Sequence, residues 1–172
     1  DLATLENQGA VKAENVLPVS YGYTPFRELV PYGAALPGPC LGARSFKIGS
    51  LFVTFAGTAD KLFRRDGLSW TQVGSGYTAD PDIGWSFELF GNNILACNGS
   101  ATDGILTATV SSPFSQIAGS PPSQYMAIVG TQVVTGYDNV LKFSGYGNSQ
   151  GWTINDAGYG SQTLYSGGFI RG

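Results

Sequence analysis

The chain contains no histidine, which removes the commonest general acid–base group and the commonest zinc ligand. Its two cysteines, Cys40 and Cys97, lie far apart with no C-x-x-C spacing, so zinc sites and Cys–His catalysis are excluded too. Each sits in an apolar, strand-like segment where a free thiol is commoner than a disulfide, so two free thiols are expected. Charge is scarce: Asp, Glu, Lys and Arg make up 12% of the residues, roughly half the usual share. The net charge of −3 leaves no basic footprint for a phosphate backbone, and no sequence-specific nucleic-acid partner is expected. No apolar run approaches the roughly 18 residues of a membrane span, so no membrane partner is expected. Helical periodicity is missing as well. The best stretch, Thr24 to Val30, is interrupted by Pro25 and followed by Pro31.

What remains is rich in turn and strand formers. Glycine accounts for 25 of the 172 residues and aromatics for 13%. A chain of this length can bury a substantial core. The composition and the missing helical period predict an all-β protein.

Self-similarity is the most informative signal. Leu51-Phe52-Val53-Thr54-Phe55-Ala56-Gly57-Thr58 matches Asn93-Ile94-Leu95-Ala96-Cys97-Asn98-Gly99-Ser100 in polarity, at an offset of roughly 42 residues. Lys61 to Arg65 and a Gly turn then lead to Ser69-Trp70-Thr71-Gln72-Val73. Gly104 to Thr109 likewise leads to Pro113-Phe114-Ser115-Gln116-Ile117. A third copy runs through Gln132 to Gly136 and Asn139 to Phe143 to Gly151-Trp152-Thr153-Ile154. A first strand precedes each copy, at Cys40 to Phe46, Trp85 to Phe90 and Gln124 to Val129. Each unit thus has four short strands separated by Gly, Pro, Asn or Asp turns, the content of one propeller blade. An ordinary β-sandwich also spaces its strands in this way. The aromatic at one fixed place per unit favours antiparallel four-stranded blades of a partial β-propeller. The expected organisation is an extended N-terminal leader over 1–36 and a repeat domain over 37–172. Its blades span about 37–78, 83–119 and 123–155, with the start of a fourth at 159–172. An unclosed stack of three implies further blades or other chains, and Phe169 and Ile170 are the candidate assembly edge.

No constellation for chemistry stands out. Asp80 and Asp82 flank Pro81 as in a surface turn. Arg64 and Arg65 are neighbours in one strand and must point to opposite faces, unlike the arginine cluster of a sialidase. Asp66-Gly67-Leu68-Ser69-Trp70 is one residue short of the Asp-box turn, which is structural in any case. The run Gly145 to Gly151 lacks the Lys-Ser/Thr ending of a phosphate loop. No catalytic, cofactor-binding or metal-ligating residue is assigned, and no cofactor is expected. Trp70, Phe114 and Trp152 have two readings, as packing between sheets or as faces for sugar rings.

Ala13-Glu14-Asn15-Val16-Leu17-Pro18 with Gly22-Tyr23-Thr24-Pro25-Phe26 resembles the opening of a family of tailed-bacteriophage virion proteins, A-x-N-x-x-P followed by G-Y-x-P. Phe55-Ala56-Gly57-Thr58 through Arg64 and Trp70 is similar to that family's F-A-G-T…R…W segment. Val140-Leu141-Lys142-Phe143-Ser144-Gly145 with Trp152 is similar to R-V-x-W-S-G…W, with Phe143 where the family often has Trp. Gly167-Gly168-Phe169-Ile170-Arg171-Gly172 is similar to G-G-x-I-x-G, after which members usually carry more blades. The resemblance implies a non-enzymatic structural part of the virion, in the tail hub, nozzle or head-to-tail connection, similar in role to packaged-DNA stabilization proteins. It implies a homo-oligomeric ring, portal, tail or connector subunits as partners, and assembly in the bacterial host cytoplasm. The alternative expectation is a carbohydrate-binding oligomeric propeller with a glycan partner.

Overall fold

A computed structural model describes residues 16–25, 30–165, 168 and 170. The chain divides into two compact units, Asp1–Tyr32 and Gly33–Gly172. Within the first, β1 (Val16–Val19) and β2 (Gly22–Pro25) form an antiparallel hairpin with Val19 opposite Gly22. Pro18 and Pro25 are tolerated because each strand has a free edge. The sequence reading expected extended chain here but not this pairing. Ala13 to Asn15 and Phe26, which belong to the family-like motifs, lie outside the described residues.

The second unit holds three four-stranded sheets. The first comprises β3 (Gly42–Ile48), β4 (Leu51–Gly57), β5 (Lys61–Asp66) and β6 (Ser69–Ser75). The second comprises β7 (Ser86–Phe90), β8 (Asn93–Cys97), β9 (Leu106–Ala108) and β10 (Ser115–Gln116). The third comprises β11 (Tyr125–Val129), β12 (Gln132–Tyr137), β13 (Val140–Phe143) and β14 (Gly160–Thr163). Each is an antiparallel meander in sequence order, none closes on itself, and there is no helix among the described residues. The protein is therefore all-β. One strand differs from expectation. The third sheet is completed by β14, paired with β13, and not by Gly151 to Ile154. The physical reason is a hydrogen-bonded loop after β13. Gly145 N–H donates to Gly151 O, and Asp156 accepts from the Thr153 amide and hydroxyl, which also holds its carboxyl below the usual range. Residues from 159, expected to begin a fourth unit, thus close the third.

The sheets share a register. Their first hairpins turn through Gly49-Ser50, Gly91-Asn92 and Gly130-Thr131, each glycine at a φ near +60°. A two-residue turn with positive φ at its first central position strongly favours glycine there. Positions counted from these turns are equivalent in the three sheets. Side chains alternate across a strand, so one face of each sheet, here its front, looks toward the next sheet and the other, its back, toward the preceding one.

Front and back meet in two cores. Phe46, Val53, Phe55 and Leu62 from the front of the first sheet pack with Phe87, Ile94, Ala96, Leu106 and Phe114 of the second. Leu95, Cys97 and Ile105 from the front of the second pack with Met126, Val133 and Trp152 of the third. The middle sheet is thus buried on both faces, which explains the unbroken apolar run Ile94-Leu95-Ala96-Cys97 in β8.

Trp85, just before β7, locks the first junction. Its amide donates to Leu41 O and its indole N–H to Thr58 O, at 2.9 and 2.7 Å. The ring lies where a side chain on Gly57 would project: an added Cβ would come within 2.2 Å of Trp85 Cδ1. Gly57→Ala is therefore expected to destabilise the second unit by about 1–3 kcal/mol through overpacking, read as a lower urea midpoint. An unchanged midpoint would show that Trp85 does not depend on this seat.

Candidate functional site

The aromatics singled out in the sequence occupy two kinds of surroundings. Phe114 is buried in the first junction, edge-on to Phe55 with centroids 5.5 Å apart, and its amide donates to Val73 O. Trp152 is 3% exposed in the second junction, its indole N–H donating to Ser149 O. Among the described residues of the second unit, no sheet packs behind Trp70. It is half-buried on the back of the first sheet, beneath the Arg65 guanidinium at 5.5 Å, and donates to Ala34 O. Phe169 lies outside the described residues. Ile170 is described but belongs to no strand; its amide donates to Asp138 O, and its side chain covers Gly136.

Several polar groups hold loops. Asp80 accepts from the amides of Asp82 and Ile83, closing the turn expected around Pro81. Asp103 accepts from the Thr78 amide and from Asn98 Nδ2, tying the link between the first two sheets to the end of β8. Arg64 and Arg65 do turn to opposite faces, the former donating to Val110 O and the latter lying over Trp70. Arg44 bridges the first junction to Glu88 and Phe87 O. Among the described residues no buried side-chain nitrogen or oxygen lacks a partner, and no group of three or more Cys, Asp or Glu is placed to hold a metal. Both cysteines are free: Cys40 is exposed, and burial pushes the Cys97 thiol up to about 12, leaving it inert at neutral pH.

Two cavities touch the third sheet. One, of about 220 Å³, lies between Pro121, Pro122 and the back of β12 and β13. The other, of about 240 Å³, lies on the front face, where Tyr125, Val134 and Leu141 surround Gly136 and Ile170. The second belongs to an open apolar face. Val129 on this face is 60% exposed, while Val134, Leu141 and Phe143 are only half-buried. At the other end of the stack Phe52 is 77% exposed on the back of the first sheet, with Lys47 over its ring at 5.9 Å. The molecule's notable surfaces are therefore two outer sheet faces. Sequence reading singled out neither Trp85 as a lock nor Phe52 as an exposed ring.

A scan against protein-family models and a search of curated proteins give no match for this chain.

Trp152→Ala is expected to cost about 3–5 kcal/mol of stability, as for a fully packed Trp, and Trp70→Ala less than half as much. Denaturant midpoints of both variants test this, and equal losses would contradict the difference in burial.

Proposed function

We propose that this chain is a non-enzymatic structural component of a bacteriophage virion, in the tail hub, nozzle or head-to-tail connection. It works through ring assembly and protein–protein contacts, and the three sheets are blades of an open β-propeller. The observation that carries the reading is the repeated stack itself: three equivalent meanders, the second packed on the first and the third on the second. The first strands support the blade geometry, because β7 touches both β3 and β11, as blades radiating from one axis require. The family-like motifs supply the phage context. The non-enzymatic part of the reading draws on the missing histidine, which removes the commonest general base. The carbohydrate reading gains nothing from Phe114 and Trp152, since rings buried to this degree offer no free face to a sugar.

Two measurements test the proposal together. Light scattering of the purified chain is expected to show concentration-dependent self-association, and a glycan array is expected to stay blank. Mass spectrometry of tailed particles from the source culture should detect the chain. A monomer at all concentrations, or its absence from such particles, would overturn the reading.

A further inference from the structure

The cavity beside Pro121 and Pro122 has walls fixed by strand register. Val133, Thr135 and Tyr137 alternate onto the back of β12, with Val133 in the core against the second sheet. Across the ladder Thr135 stands opposite Lys142, and Tyr137 opposite Val140. These cross-strand pairs share a face, and all but Val133 of the five residues line the cavity. Pro121 and Pro122, in the link from the second sheet, form the facing wall. The cavity thus sits on a face turned toward the second sheet, within one unit.

Its lining has two chemistries. Pro121, Pro122 and Val140 present apolar surface, and Tyr137 a half-buried ring. Thr135 and Lys142 present donors side by side. Thr135 is 2% exposed, yet its hydroxyl, open to the cavity, has no hydrogen-bond partner among the described residues. No described carboxylate pairs with the half-buried Lys142 either. Comparable groups elsewhere are engaged: buried Ser144 accepts from the Val133 amide and donates to Gly145 O, and Arg44 has Glu88. The remaining polar lining is partly tied up, since Asn139 Nδ2 donates to Leu164 O and the Asp138 amide donates to Gln124 Oε1. A buried hydroxyl is normally paired, so one that opens only into a cavity takes its partner from what enters there.

We propose that this cavity binds a small monocarboxylate with a compact apolar body. The Lys142 ammonium and the Thr135 hydroxyl donate to the carboxylate oxygens, and the prolines, Tyr137 and Val140 enclose the body. The volume of about 220 Å³ equals roughly seven waters of bulk liquid, room for one ring or a short chain. A single cation favours one negative charge, and Asp138, which also lines the cavity, opposes a second. Such a site goes beyond the assembly reading and does not depend on it.

Benzoate is the probe, titrated into the isotopically labelled whole chain and followed by amide NMR shifts, with benzyl alcohol as its neutral counterpart. Benzoate is expected to bind saturably in the millimolar range, with the largest shifts over Thr135 to Lys142 and beside Pro122. It should bind about 10-fold more tightly than benzyl alcohol, the difference of one charge-assisted contact. Lys142→Met should remove that preference while leaving benzyl alcohol unchanged. Thr135→Val deletes only the unpaired hydroxyl, so it should weaken benzoate binding with no fall in the urea midpoint, which separates recognition from folding. The absence of a saturable shift, shifts centred elsewhere, equal binding of the two probes, or benzoate binding indifferent to Lys142→Met would each overturn the site.

Discussion

The indole of Trp85 occupies the space that a side chain at Gly57 would fill, and its two N–H groups tie the entry of the second sheet to Leu41, just before β3, and Thr58, just after β4. The first junction depends on that seat. It brings Phe87 into line with Trp85 and Phe114 against Phe55, an aromatic series whose burial supplies much of the core. A four-stranded meander has two faces and can hide neither by itself. The middle sheet hides both because it has neighbours on both sides, and among the described residues of the unit each outer sheet has one such neighbour. The stability of the unit therefore has its origin in apolar area seeking cover.

The polar content follows from the same constraint. With 12% charged residues, the chain cannot surround its sheets with ion pairs. Several of its charges hold loops or bridge a junction: Arg44 to Glu88, Asp103 to Asn98 and Thr78, Asp156 to Thr153. Such groups act as structural ties.

Much of this was legible in the sequence because the repeat unit carries its own punctuation. The turn glycines at 49, 91 and 130 fix where first hairpins reverse, and the apolar strand after each is unmistakable. The last strand of the third sheet was not legible. Trp152 stands in the repeat where a strand is expected, yet the loop from Gly145 to Gly158 bonds to itself, and the polar Gly160–Thr163 segment takes the edge. A short edge strand half-exposed to water needs no apolar signature. The difference between Trp70 and its counterparts was hidden for another reason: burial depends on whether a neighbouring sheet exists, which local sequence does not encode.

Hydrogen exchange as a function of protein concentration tests the stacking account most directly. The β8 amides, Asn93–Cys97, lie in a sheet covered on both faces, so their protection should be highest and independent of concentration. Protection in β4 and in β11–β12 should rise as the concentration is raised and the outer faces meet. Equal protection in all three sheets at high dilution would contradict the account, because the outer faces would then already be covered within a single chain.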